Sequence, residues 1–194
     1  MPRPDVSDIR REQILTAAMA LFSKTGIEAT SMNAIAKECG FSKATIYHYF
    51  ESKDDMVLSL LDNVFAHDED AFQALQNTEV SVSDRIMSYI DSYAAIVLEQ
   101  PQLFALFFEF YGNSIRREIV RETLSGYFDT YTDVFTTVFQ QGYDTGEFNK
   151  GSAELAAESF VALVEGTVLM SFIRKIDLIN SLKNSIHLFL SSLG

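Results

Sequence analysis

Apolar residues recur every three to four positions along nearly the whole of this 194-residue chain, and only Pro2, Pro4 and Pro101 interrupt it. That spacing lays apolar side chains along one stripe of an α-helix, whereas a half-buried strand would need strict alternation. Two of the prolines precede the first helical pattern. The third can sit in a first helical turn, where its missing N–H has no partner to lose. The chain is therefore expected to be all-α, with helices at about 8–24, 30–39, 42–49, 52–75, 83–99, 101–111, 114–142, 152–173 and 177–192. Gly26 is expected as a left-handed cap, Gly112 as the residue just past a helix end, and Gly126 as a point where the long 114–142 helix can kink or break.

Taken as a whole, the net charge of −12 speaks against nucleic acid as a partner. Its distribution says otherwise. Residues 1–53 hold seven Lys and Arg against six Asp and Glu, a balance of +1, and the remainder carries eight against 21, a balance of −13. A boundary is drawn there: an N-terminal domain, 1–51, and a larger acidic one, 52–194. One cysteine, Cys39, excludes an intramolecular disulfide and a CxxC metal site, and points to a reducing cytoplasm. The first residues lack the apolar run of a signal peptide. The most apolar stretch, 156–173, carries Glu158 and Glu165, so no membrane association is expected. His67 beside Asp68, Glu69 and Asp70 reads as a solvated helix face, because neighbouring residues splay around a helix axis. No metal or cofactor is expected. The absence of a nucleophile–base set or a phosphate-binding glycine loop argues against an enzyme.

The second and third helices are joined by Gly40-Phe41, with Ser42 as a cap. A tight glycine-containing turn between two short helices is the mark of a helix-turn-helix. On a wheel with Ile46 inward, Tyr49 and Phe50 turn inward too, while Ala44, Thr45, Tyr47 and His48 turn outward with Lys43 beside them. This outward set suits a major groove. Ala44 can meet a thymine methyl, Thr45 a base edge, and Tyr47, His48 and Lys43 bases or phosphates. Thr30 and Ser31 at the start of the second helix are expected to reach a phosphate, and Lys53 is expected to help bind DNA.

The run Thr30-Ser31-Met32-Asn33-Ala34-Ile35-Ala36-Lys37, followed by Gly40-Phe41-Ser42-Lys43-Ala44-Thr45-Ile46-Tyr47-His48-Tyr49-Phe50 and Ser52-Lys53-Asp54, resembles the DNA-binding domain of the TetR (tetracycline-repressor-like) family. The likeness covers residues 8–60. A weaker echo is the turn Gly142-Tyr143-Asp144-Thr145-Gly146-Glu147-Phe148 before the last two helices. The resemblance implies a homodimer in which three helices bind a double-stranded DNA operator and a variable helical domain binds a small molecule.

Ten of the 24 aromatic residues fall within positions 104–139. They either line a ligand cavity or fill a core. The candidates for the cavity are Phe104, Phe107, Phe108 and Tyr111 on the 101–111 helix, and Tyr127, Tyr131 and Phe135 on the next. Tyr89, Tyr93, Glu109 and Glu165 supply polar groups, and a carboxylate facing the cavity would favour a cationic or hydrogen-bonding ligand. The 152–173 helix is apolar on more than one face. The resemblance implies that the last two helices pair with their symmetry mates, and Ala157, Phe160, Val161, Val164, Val168, Leu182, Ile186 and Phe189 are the residues expected to do so. The function expected from the resemblance is that of a ligand-responsive transcriptional regulator acting as a repressor. The alternative is a DNA-binding protein controlled by a protein partner, without a small-molecule inducer.

Overall fold

The computed structural model describes residues 5–66, 72, 75–115 and 117–194. The described residues form nine helices and no strand. They are α1 (Val6–Thr25), α2 (Met32–Cys39), α3 (Lys43–Tyr49), α4 (Lys53–Ala66), α5 (Val82–Glu99), α6 (Pro101–Ser114), α7 (Glu118–Thr145), α8 (Ala153–Arg174) and α9 (Leu178–Leu193). The expected extension of α4 toward residue 75, and the His67-to-Asp70 run, fall largely outside the described residues.

The helices begin where short polar side chains can take up orphan N–H groups. Ser31 accepts from the Ala34 N–H and Ser42 from the Thr45 N–H, both at 3.1 Å. Ser52 accepts from the Asp55 N–H at 3.1 Å, and Asp55 reaches back to accept the Glu51 N–H at 3.0 Å, one residue beyond the cap that the usual reciprocal box bonds. Ser152 and Asp177 do the same for α8 and α9. Gly26 caps α1 with φ 85° and ψ 156°, outside the left-handed helical region expected for it. Helix α6 continues through Gly112 to Ser114, and α7 runs unbroken across Gly126.

The chain forms two compact units. The first holds α1–α4, α6 and the first residues of α7 through Arg121. Its core is built from Ile14, Ala18 and Phe22 of α1, Ile35 of α2, Ile46 of α3, and Met56 and Leu61 of α4, with Phe110 of α6. The second holds α5, α7 from Glu122 onward, α8 and α9. There α9 lies against both α8 and α5. Phe135, Phe139 and Phe160 fill its centre, with Phe135 and Phe160 only 4.3 Å apart between ring centroids.

The Gly142-to-Phe148 turn has a specific job in the second unit. The Phe148 ring folds back onto the last turn of α7, and its N–H donates to the Gly142 carbonyl at 3.1 Å. A Cβ at position 142 would lie 2.3 Å from Phe148 Cδ2. Glu147, next in line, accepts from the Val82 N–H (2.8 Å), the Ser83 N–H (2.9 Å) and the Ser83 hydroxyl (2.6 Å), so its carboxylate closes the N-terminus of α5. Partial burial pushes the Glu147 carboxyl up. The bonds from Ser83 and Val82, with the Arg85 charge, outweigh it and hold the group below the ordinary carboxylate range. Gly142→Ala is expected to lower stability by about 1–3 kcal/mol, since Phe148 is buried and has nowhere to go. A melting curve checks this, with Gly126→Ala, in open space, as the control that leaves the midpoint unchanged or slightly raised.

Candidate nucleic-acid interface and ligand cavity

The interface is built from α2, α3 and the turn between them. Gly40 adopts the left-handed conformation (φ 71°, ψ 22°) that a Cβ would disfavour, and its N–H reaches the Ala36 and Lys37 carbonyls. Phe41 then donates to the Ala36 carbonyl at 3.0 Å, closing the turn. Ile35, Ile46 and Phe50 are buried beneath it. This leaves Lys43, Ala44, Tyr47 and His48 exposed on α3, as the wheel predicts, with Tyr47 47% exposed. The Lys43 ammonium lies 5.7 Å from the Tyr47 ring centroid, within cation–π reach. Thr45 is half-buried, and its hydroxyl is paired with that of Ser42 at 2.8 Å. Ser31 stays exposed at the N-terminus of α2.

Thr30 and Lys53 are placed differently from the sequence expectation. Thr30 is buried, and its hydroxyl donates to the Gly26 carbonyl at 2.8 Å and pairs with that of Thr25. A phosphate would have to displace those partners. The Lys53 ammonium is held on the Glu28 and Thr30 carbonyls at 3.1 and 3.2 Å. Both side chains therefore stabilise the α1–α2 turn.

In the second unit, Tyr89 and Tyr93 of α5, Tyr131 and Phe135 of α7, and Phe160, Val161, Val164 and Glu165 of α8 surround one small cavity. Tyr89 stacks on Tyr93 at 5.9 Å and meets Phe135 edge-on at 5.1 Å. The free space is about 10 Å³, room for one water. Five of the expected cavity residues thus come together. Tyr127, on the same unit's α7, is half-buried and does not line the cavity. Phe104, Phe107, Phe108, Glu109 and Tyr111 lie on α6 in the first unit, where Phe104 and Phe107 are core residues. Glu109 accepts from the Ile27 N–H at 2.7 Å, so its carboxylate serves the α1–α2 turn.

The face of the last two helices needs correction. Ala157, Phe160, Val164, Val168, Leu182 and Ile186 are buried inside their own protomer and offer no surface to a partner; Val161 and Phe189 are half-buried. Three of the eight, Phe160, Val161 and Val164, are cavity residues that sequence reasoning missed. The available signal was their one-turn spacing on α8 around Glu165. The outward face of α8 carries Leu155, Ala162, Gly166, Leu169, Met170 and Ile173 instead. This helix is long and apolar enough to cross a membrane by length and composition, the one such helix among the described residues.

Residues 14–60 match the model for bacterial regulatory proteins of the tetR family, and residues 82–178 match that for the C-terminal region of BetI-type transcriptional repressors. The HTH-type transcriptional regulator YfiR of Bacillus subtilis is 31% identical over 143 residues, 73% of this chain and 69% of that protein. The fold matches that of FadR from Bacillus subtilis in complex with stearoyl-CoA, with a TM-score of 0.81 and 19% identity over 94% of this chain and 99% of that one. It also matches a transcriptional regulator from Saccharomonospora viridis in complex with choline, with a TM-score of 0.81 and 20% identity over 95% and 96% of the two chains. With its helix-turn-helix and its C-terminal helical region both accounted for, the chain belongs to the TetR family of transcriptional regulators.

Proposed function

We propose that this protein is a cytoplasmic repressor that binds a pseudo-palindromic operator as a homodimer and is released from it by a small organic cation. Residues 1–51 carry the DNA-reading function and 52–194 the ligand and dimer functions. The observation that carries the ligand class is the cavity: three tyrosines and two phenylalanines with the Glu165 carboxylate at one wall. Aromatic faces attract a quaternary ammonium through their quadrupoles, and a carboxylate adds a full opposite charge. The neighbour solved in complex with choline favours the same class. Room for one water means that the rings must part to admit a ligand, so the ligand selects an opened state. The same tightness favours a second reading, a regulator answering to a protein partner with no small-molecule inducer.

Thermal-shift and calorimetric titration with choline and tetramethylammonium separate the two. A cation at one hundred times its Kd stabilises by about 2.7 kcal/mol. Glu165→Gln is expected to weaken cation binding about tenfold, the effect of losing roughly 1.4 kcal/mol of charge attraction. No stabilisation by either cation would remove the cationic ligand from the account.

The dimer face is proposed on the outward side of α8 and α9. A groove of about 440 Å³ runs there past Ala162, Gly166, Met170, Ser181 and Ser185, and small side chains let a partner helix approach closely. Two recognition helices related by a two-fold axis would then read half-sites about 34–36 Å apart.

A further inference from the structure

The α1–α2 turn, which delivers the chain into the helix-turn-helix, is gripped by side chains far away in sequence. From α6, Glu109 Oε1 accepts the N–H of buried Ile27 at 2.7 Å. From the residue just before α7, the Arg117 guanidinium is paired with Asp54 in the first turn of α4 and lies 3.9 Å from the Glu28 carboxylate. Lys53 adds its two bonds to the carbonyls of Glu28 and Thr30. Within the turn itself, Gly26 leaves α1 at positive φ, the Thr30 hydroxyl holds the Gly26 carbonyl, and α2 does not begin until Ser31 caps it.

We propose that Glu109 and Arg117 are positioning residues for operator recognition, forming a clasp by which α6 and the start of α7 set the attitude of α2 and α3. Neither residue lies on α2 or α3. Each acts through the turn: Glu109 fixes its backbone, and Arg117 ties its carboxylate to α4. Helix α7, whose first residues follow Arg117, also carries Tyr131 and Phe135 at the cavity. The clasp does not depend on the ligand-responsive reading above.

The test uses the full-length protein and the variants Glu109→Ala, Arg117→Ala, Glu109→Gln and Arg117→Lys. Hydrogen exchange is followed across residues 26–40, and binding is measured to the duplex that the wild-type protein enriches from a random pool. At a temperature where every variant is folded, both alanine variants should exchange faster in this segment and bind the duplex about tenfold more weakly. Glu109→Gln keeps an acceptor for the Ile27 N–H and Arg117→Lys keeps the charge, so both should recover most of the affinity. The dependence of binding on salt should not change, because every phosphate keeps its cation. Wild-type exchange and wild-type affinity in the alanine variants would overturn the clasp. If choline fails to stabilise the wild type while the alanine variants still lose affinity, the ligand reading falls and the clasp stands. A purely structural role would instead show as lower melting temperature with unchanged affinity for the folded fraction, and that too would overturn it.

Discussion

Val164→Asp and Ile186→Asp should unfold the protein instead of separating two subunits. Val164 is 5% exposed and Ile186 is fully buried within the single chain. An aspartate at either site would lose its water and gain no cation. The effective cost of an unpaired buried charge is several kcal/mol, against a total stability for ordinary domains of about 5–15 kcal/mol. For a chain of this length about 5 kcal/mol corresponds to a fall of roughly 10–20 °C in melting temperature. Gly166→Arg is the complementary change. A Cβ there meets nothing within 4 Å, so the protomer has room for the side chain. It would place a bulky charge in the groove between α8 and α9, leave the protomer folded and shift sedimentation toward monomer. An Ile186→Asp protein that melts like wild type yet sediments as a monomer would restore the face first read from the sequence.

Tyr47→Ala should weaken operator binding by about 10- to 100-fold with no loss of stability. Tyr47 projects from α3 with nearly half its surface exposed, so truncation leaves no cavity in the core. The expected loss is that of a good base or phosphate interaction, about 1–3 kcal/mol. Lys43→Ala should weaken binding across all sequences and also flatten the salt dependence. Removing one lysine–phosphate pair lowers the log–log slope by about 0.9, and in a two-fold dimer the substitution removes two. The acidity of the chain makes this measurement sharp: residues 54–194 carry −13 and repel DNA, so attraction must come from a few cations near α2 and α3. Lys37, exposed in the last turn of α2, is the nearest additional one by sequence.

The helix-turn-helix was legible because local rules fix it. Ser31, Ser42 and Gly40 mark the ends of two short helices, and Ile46 alone sets the phase of a seven-residue helix whose other face is polar. Helix α8 had no such asymmetry. Its apolar residues cover both faces, so periodicity gives the stripes without saying which faces inward. The structure buries Ala153, Ala156, Ala157, Phe160, Val164 and Val168 and leaves Leu155, Met170 and Ile173 outside. The aromatic density of α6 misled in a similar way. Counting rings along the chain cannot show in which unit a helix packs, and the cavity draws on α5, α7 and α8 instead. Glu109 and Glu165 were equivalent as carboxylates in apolar helices. Only the fold separates the one that holds the Ile27 N–H from the one at the cavity wall. Lys53 falls within the run that resembles the family's DNA-binding domain, so from sequence it reads as a DNA contact. The carbonyls of Glu28 and Thr30, more than 20 residues away in sequence, were invisible to periodicity and spacing.

The central claim is that α3 reads a specific duplex and that the state of the cavity decides whether it does. The most direct measurement is selection of bound duplexes from a random pool, followed by anisotropy titration of the enriched sequence with and without choline. The account predicts an inverted repeat with half-sites one helical turn apart, bound at least tenfold more weakly by Tyr47→Ala, and a loss of affinity in choline of about 5- to 150-fold that disappears in Glu165→Gln. An enriched sequence without two-fold symmetry, bound equally well by Tyr47→Ala and indifferent to choline, would contradict it.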